Sequence, residues 1–318
     1  MILHSTKKRR SLNVCHFHVR SLVSDGRLEQ LKFFLSAHSV DVLCLTETWL
    51  KPKHVNSMLS VPGFQPPLRR DRITSRGGGV AIYVRDGLAS TLRSLSQSEL
   101  GCIAVRIDMP NRKKLIVFVI YRPSDSNVYD FVDALDMSVS SYLQGNMYML
   151  GDFNAKHILW YDSQRTDVAG EQVKHFTDSH GFHQVVNGPT YHCTSSSPSL
   201  LDLIFTNRPT SVISSSVLPS LSDHCAVITS LSLRKPPPPK PYTTQASVYS
   251  KAKPVELQNS LSSVDWSTVL SAESLDGITS SWTEVFLSEC RKFIPVETLH
   301  INPRSKLWYS RYLKYLAS

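Results

Sequence analysis

The sequence predicts an α/β domain followed by a small, mostly helical C-terminal extension, and three observations carry that prediction. Short β-branched or aromatic runs recur through residues 1–233, too many strands for a helical bundle. Helical periodicity fills some of the gaps between them, so strands and helices interleave. A proline run at Arg234–Tyr242, RKPPPPKPY, then breaks the composition, because consecutive prolines remove backbone donors and favour an extended stretch.

Taken in order, the strand-like runs are Ser11–His18, Val40–Glu47, Gly79–Val84, Cys102–Ile107, Leu115–Tyr121, Met147–Asp152, Leu200–Thr206 and Cys225–Leu231. Gly26–Ala37 reads as a helix because Leu28, Leu31, Phe34 and Leu35 fall on one face, and Val128–Tyr142 has the same period. After the prolines, Val255–Ser263 and Thr279–Phe293 look helical, and Lys306–Ala317 sets Leu307, Trp308, Tyr312 and Leu316 among basic residues. These features divide the chain into a basic segment 1–10, a domain 11–233, a linker 234–247 and an extension 248–318 that is poor in core.

Composition narrows the function. With 318 residues, 41% hydrophobic against 19% charged, the chain is too long for a peptide hormone and too apolar to be disordered throughout. A net charge of +9 favours a polyanionic partner. The six cysteines stand singly, with no CxxC pair, which argues against a zinc site and fits a reducing compartment. MILHSTKKRR has no apolar run of the signal-peptide kind after its basic residues, and Leu115–Tyr121, the longest apolar run, is far too short to cross a bilayer. The expectation is a soluble intracellular chain without a membrane partner. Lys7–Arg10 reads as a nuclear-import patch or a soluble terminus, the second being the simpler.

The chemistry-bearing residues sit where strands should end, which is where α/β sheets place their sites. Glu47 closes the run VDVLCL and, taken alone, reads as a strand-end carboxylate facing water. In Gly151-Asp152-Phe153-Asn154, alternation sends Asp152 and Asn154 to one side and Phe153 to the other, so an acid and an amide share a face. That pair is able to accept a proton and donate a hydrogen bond at one centre, or simply to close a turn. Asp202 enters the apolar segment Leu200–Phe205, and Asp223-His224 precedes Cys225-Ala226-Val227. Each feature is weak alone; their order, with Tyr121 in YRPS between Glu47 and GDFN, is not.

That order resembles the endonuclease/exonuclease/phosphatase family, specifically the endonuclease domain of non-LTR (LINE-like) retrotransposons, related to apurinic/apyrimidinic endonucleases. The motifs are CHFHVRSL (15–22), LCLTETWL (43–50), RGGGVAIYVR (76–85), VIYRPS (119–124), GDFNAKHILW (151–160), SLLDLIFTN (199–207) and SDHCAV (222–227). Trp266 and the IPVE and KLWY segments resemble the stretch that links such an endonuclease to a reverse transcriptase. No polymerase follows in this sequence, so the expectation is a fragment or degenerate copy of an element.

The resemblance implies a four-layer sandwich, two mixed β-sheets flanked by helices. It implies that Glu47 holds a divalent cation, Mg²⁺ or alternatively Mn²⁺, with Asp223 supporting the metal side. Asp152 would orient or deprotonate the attacking water, Asn154 and Tyr121 would donate to phosphoryl oxygens, and His224, steadied by Asp202, would stabilise developing negative charge. One position departs from the family: His18 stands where a metal-side asparagine is usual, and imidazole suits Mn²⁺ or Zn²⁺ better than Mg²⁺. Arg69, Arg70, Arg72 and Arg76, followed by three glycines, read as a solvated loop or as a track for a phosphate backbone. The expected activity is metal-dependent nicking of DNA in the nucleus by water attack, with the element's RNA as a second partner. The alternative is a catalytically inactive nucleic-acid-binding relic of the same domain.

Overall fold

Strand β1 (Leu12–His18) shows how the architecture arises from alternation. Its period of two sends Cys15 and Phe17 to one face and Leu12, Val14, His16 and His18 to the other, and all of these are buried. A strand apolar on both faces must be covered on both, so helices or a second sheet have to lie on each side. The computed structural model of the chain describes residues 11–72, 77–93, 101–110, 113–161, 165–193, 196–219, 222–233, 242–271 and 274–301. It divides into two compact units, 1–237 and 238–318.

In the first unit, β1 passes through α1 (Arg27–Ala37) into β2 (Val42–Thr46), then β3 (Leu68–Arg70) and β4 (Val80–Val84). The chain next lays down β5 (Ser90–Arg93), β6 (Gly101–Asp108) and β7 (Lys114–Tyr121), and α2 (Val128–Val139) leads to β8 (Asn146–Asp152). After α3 (Val168–Ser179) come β9 (His183–Gln184), the hairpin β10 (Tyr191–Cys193) and β11 (Ser196–Ser199), then β12 (Asp202–Thr206). Finally β13 (Val212–Leu218) and β14 (Ala226–Leu231) return to β1.

Two six-stranded sheets result, in the orders β13-β14-β1-β2-β4-β3 and β5-β6-β7-β8-β12-β9. Both are mixed: β1 runs parallel to β2 and β7 parallel to β8, while their other pairings are antiparallel. Leu12, Val14, Val42, Cys44, Val80 and Ile82 of the first sheet share one core with the second sheet's residues such as Ala104, Phe118 and Met149. Cys15, Phe17, Leu43, Leu45 and Tyr83 turn the other way, onto Leu31, Phe34 and Leu35 of α1. Phe131 and Leu135 of α2 and Val173 and Phe176 of α3 join the core of the second sheet. The unit is thus an α/β sandwich of two mixed sheets flanked by helices.

Local chemistry starts these helices. Asn127 caps α2 by accepting from Tyr129 N at 2.9 Å, and Asp167 caps α3 by accepting from Gly170 N at 2.7 Å. Gly151 permits the pairing of β7 with β8, because a Cβ there would lie 1.8 Å from Ile120 O.

The second unit holds α4 (Pro254–Ser262), α5 (Trp266–Val269) and α6 (Leu275–Phe293), with β15 (Tyr242–Ser247) paired antiparallel to β16 (Val296–Ile301). Residues 242–247, read from sequence as the end of a linker, form β15, because Thr243 to Ser247 find backbone partners in β16. Among the described residues of this unit no apolar side chain is buried. Residues 1–10, the proline run 234–241 and the 306–317 segment lie outside the described residues. Among the described residues no helix is long and apolar enough to cross a membrane.

Candidate active site

Strand register brings the site together. On the second sheet Asp152 lies opposite both Tyr121 and Asp202, so three polar residues occupy adjacent strands at one level. The inner face of β1 supplies His16 and His18 from the first sheet. One ligand atom from each of His18, Asp152, Asp202 and His224 lies within 4.8 Å of the others, and all four residues are buried.

The contacts are specific. Asp202 Oδ2 lies 2.7 Å from His224 Nδ1 and Asp152 Oδ2 lies 3.1 Å from His18 Nδ1. The His18 and His224 rings stack at 4.0 Å, 8° from parallel. Asn154 donates from Nδ2 to Asp152 Oδ2 at 3.2 Å, and its backbone N–H donates to Asp152 Oδ1 at 3.0 Å. Phe153 turns into the core against Phe131 and Phe205, which fixes which way its two polar neighbours point.

Burial and charge set the protonation states. Burial alone would push the His224 imidazole down, but the Asp202 carboxylate holding it lifts it to about 9, so the ring is cationic at neutral pH. Burial opposes the Asp202 charge, yet the attraction and hydrogen bond of His224 outweigh it and hold Asp202 below the usual carboxylate range. Burial raises Asp152 despite the opposing hydrogen bond from His18, which makes it a stronger base than an exposed aspartate. Burial, then the hydrogen bond to Glu47, raises Tyr121, so its hydroxyl keeps its proton and can donate.

Glu47 stands apart from the four-residue convergence. Its carboxylate accepts from Trp49 Nε1 and is hydrogen-bonded to Tyr121. Gly77, at φ +84°, comes so close that a Cβ would lie 3.2 Å from Glu47 Oε2. Asp223 also stands outside the convergence, its Oδ2 held by Arg20 Nη1 at 2.8 Å. Sequence reading grouped His18 with Glu47 and Asp223. The structure groups it instead with Asp152 and His224, because an imidazole on the inner face of β1 reaches across to β8.

Among the described residues five non-glycine residues have positive φ, Arg20, Ser21, Glu47, Trp49 and Asn154, and all lie at strand ends around this site. Each such conformation costs about 1–3 kcal/mol. Backbone bonds hold them, including Ser21 N to Glu47 O at 2.8 Å and Trp49 N to Gly78 O at 2.9 Å.

Of the expected phosphate track, the Arg69 guanidinium lies 3.5 Å from Asp71 and is largely buried, so it is not offered to a ligand. Arg70 lies on β3, and Arg72 packs its side chain against Gly78. Arg76 lies outside the described residues.

Three residues escaped the sequence reading. His16 is wholly buried, with Nε2 3.1 Å from Thr46 Oγ1 and Nδ1 3.4 Å from Asp202 Oδ1. Burial lowers it to about 4 against the pull of Asp202, so it is neutral and faces Asp202 as a dipole. Arg122, also buried, donates from Nε to Phe153 O at 2.7 Å and from Nη2 to Asn154 O, tying down the turn that carries Asn154. Trp49 orients Glu47. The signal was their place inside the motifs CHFH, YRPS and TETW, which spacing alone does not translate into contacts.

The family model described as Endonuclease-reverse transcriptase matches residues 115–228, which run from β7 to the first half of β14 and carry Tyr121, Asp152, Asn154, Asp202 and His224. The matched stretch, the relatives and the solved structures together make this chain similar to the endonuclease/exonuclease/phosphatase proteins. The chain is 26% identical over 184 residues to the RNA-directed DNA polymerase from mobile element jockey of Drosophila melanogaster, covering 56% of this chain and 19% of that protein. It is 23% identical over 183 residues to the Drosophila funebris counterpart, so it spans about a fifth of the length of either relative. The fold is similar to that of the endonuclease domain of TRAS1, a telomere-specific non-LTR retrotransposon. That match has TM-score 0.59 at 16% identity, covering 71% of this chain and all of that one. The AP endonuclease of Leishmania major gives TM-score 0.58 at 18% identity, with 71% and 89% covered.

The donor set fits a divalent cation. Two histidines and two carboxylates converge; His224, cationic against Asp202, is no ligand, which leaves His18, Asp152 and Asp202 as donors, and Asp202 Oδ1 is a buried oxygen without a hydrogen-bond partner. The His18 nitrogen favours Mn²⁺ or Zn²⁺ over Mg²⁺, whereas Glu47, outside the cluster, would hold a cation through oxygen only.

Proposed function

We propose that this chain is a metal-dependent DNA endonuclease that nicks one strand by water attack on a backbone phosphodiester. The observation that carries the reading is the convergence of Asp152, held by Asn154, and His224, held by Asp202, in one buried cluster. Asp152 accepts a proton from water while Asn154 holds the carboxylate in place. The water oxygen bonds to phosphorus and the P–O3′ bond breaks, giving a 5′-phosphate and, once the departing oxygen is protonated, a 3′-hydroxyl. His224, kept charged by Asp202, stabilises the negative charge that develops on the phosphoryl oxygens, and the Tyr121 hydroxyl joins it by turning its one hydrogen from Glu47 to the phosphate. When bound at Glu47 or at the His18 cluster, a divalent cation, Mg²⁺ or Mn²⁺, supplies neutralisation of phosphate charge. A net charge of +9 supports a nucleic-acid partner, DNA first and element RNA second. A nuclear site of action follows from that substrate.

Nicking of supercoiled plasmid by the parent and by Asp152→Ala tests the assignment. The variant should lose nicking by about a thousandfold or more while keeping its unfolding midpoint. Retained nicking would remove Asp152 from the chemistry. His18 favours a second reading, a folded relic that binds DNA without cutting it, since its ring stacks on His224 where the family usually has a smaller asparagine. Binding without nicks in Mg²⁺ and Mn²⁺ would decide for it.

A further inference from the structure

Away from the catalytic residues, the starting ends of β7 and β8 border a cavity of about 740 Å³, a volume in the range of small-molecule sites. The two strands run parallel, in register from Leu115–Asn146 to Tyr121–Asp152. The cavity therefore lies at the opposite end of the sheet from the site, six residue steps or about 20 Å from Asp152.

Its lining is cationic and rich in hydrogen-bonding groups. Arg106 comes from β6, Lys113 and Lys114 from the start of β7, and Tyr142, Gln144 and Asn146 from the turn that leads into β8. Among the described residues no carboxylate lines the cavity. Arg106 Nε is held 3.1 Å from Asp108 Oδ1, which orients the guanidinium, whereas Lys113 and Lys114 are exposed and have no ion-pair partner among the described residues. Three cations against the one acid leave this end of the sheet positive.

The floor is built rather than a gap between side chains. Asn207 Nδ2 donates to Leu143 O at 3.2 Å and to Gly145 O at 3.0 Å, and Asn207 Oδ1 accepts from Met147 N at 2.9 Å. Gly145 N donates to Tyr142 O at 2.9 Å, and the Tyr142 ring packs edge-on against Phe118 at 5.8 Å. Gly145 keeps the space open: a Cβ there would stand 3.4 Å from Tyr142 O and 3.5 Å from Ile116 Cγ1, and a longer side chain would take up the cavity. With the turn already held, little ordering remains to be done on binding.

We propose that this cavity binds a nucleoside 5′-phosphate, free or at the end of a single strand. Arg106, Lys113 and Lys114 take the phosphate, Tyr142 offers ring surface to the base, and the Gln144 and Asn146 amides donate to and accept from its edge. A terminal phosphate carries about −1.5 to −2 at neutral pH against about −1 for a bridging one, so three cations favour a strand end over a strand interior. Inorganic phosphate would leave the aromatic and amide side of the cavity unused. The site stands apart from the endonuclease reading, because none of its residues belongs to the catalytic cluster.

The test uses the full chain in chelator, a six-nucleotide single strand labelled at its 3′ end, and fluorescence anisotropy. The 5′-phosphorylated strand should bind about tenfold more tightly than the same strand with a 5′-hydroxyl, and adenosine 5′-monophosphate should displace it where the same concentration of inorganic phosphate does not. Lys113→Gln/Lys114→Gln, at exposed positions, should weaken binding of the phosphorylated strand about tenfold or more with the thermal midpoint kept. Gly145→Leu, which fills the cavity and keeps every charge, should weaken it as well, as a diffuse basic surface would not require. A monophosphate that binds as tightly as the strand would make the free nucleotide the ligand, and a strand that binds more tightly would make it a strand end; either sustains the site. Equal binding of the phosphorylated and hydroxyl strands, or a double variant that binds like the parent, would overturn it. So would a double variant whose plasmid nicking in Mn²⁺ falls in step with its binding, since the lysines would then be holding the DNA that is cut.

Discussion

Asp202→Asn removes one charge and almost no volume, and the structure says what that charge supports. Asp202 Oδ2 lies 2.7 Å from His224 Nδ1, and both side chains are almost wholly buried, at 0% and 6% exposure. His224 is lifted from an ordinary 6.5 to about 9 against the effect of burial. At 1.36 kcal/mol for each tenfold step in proton affinity, that separation is worth roughly 3 kcal/mol. Because the folded-state value is raised, this stabilisation is present in full below about pH 6.5 and fades as pH rises through about 9. The variant should lose roughly 3 kcal/mol of unfolding free energy at about pH 6, and the difference should narrow or reverse by about pH 10, where the parent keeps a buried carboxylate without a cationic partner. With the carboxylate gone, burial is opposed only by the charges of Asp152 and Asp223, and His224 should titrate well below 9. Urea unfolding in chelator across this pH range, with the His224 ring carbons followed by NMR, reads both quantities. A His224 that still titrates near 9 in the variant, or a destabilisation that is the same at both ends, would refute the reasoning.

Three further expectations follow from single contacts. Gly77→Ala forces a side chain into φ +84° and within 3.2 Å of Glu47 Oε2. It should cost about 1–2 kcal/mol in chemical denaturation and raise the metal concentration needed for nicking, and an unchanged metal requirement would detach Glu47 from metal binding. Arg122→Met leaves the carbonyls of Phe153 and Asn154 without their donor. A loss of about 2–3 kcal/mol, seen as a drop of roughly 5–10 °C in thermal midpoint, is expected, and an unshifted midpoint would show that the turn holds itself. His18→Asn removes a nitrogen donor from the cluster and should lower the ratio of Mn²⁺-supported to Mg²⁺-supported nicking about tenfold; an unchanged ratio would place His18 outside the cation's reach.

What was legible in the sequence was local. The apolar runs became β1, β2, β4, β6, β7 and β8 within a residue or two, since a strand buried on both faces announces itself by unbroken hydrophobicity. β13, VISSSVL, with three serines, gave no strand signal; it is a strand because β14 pairs with it, Ser214 and Ser216 facing water at the sheet's edge while Ser215 hydrogen-bonds to Thr229 at 2.9 Å. α3 was missed because Val173 and Phe176 are spread thinly among polar residues, and only the cap on Asp167 and the packing of its inner face reveal it. The site's residue types were readable from motif order, but their grouping was not. Whether His18 joins Glu47 or Asp152 depends on which face of β1 it occupies and how far an imidazole reaches, which register between two sheets decides. Arg69 shows the same limit: its neighbour Asp71 turns a presumed phosphate ligand into an internal partner.

The proposed activity is hydrolysis of a phosphodiester at the buried Asp152–His224 cluster with a divalent cation. Incubation of the chain with supercoiled DNA in Mg²⁺, in Mn²⁺ and in chelator, followed by DNA ligase, tests it most directly. Single-strand nicks that require the cation and that ligase reseals, as a 3′-hydroxyl beside a 5′-phosphate allows, are the predicted result. Bound but uncut DNA in both metals would contradict it and leave a nucleic-acid-binding relic.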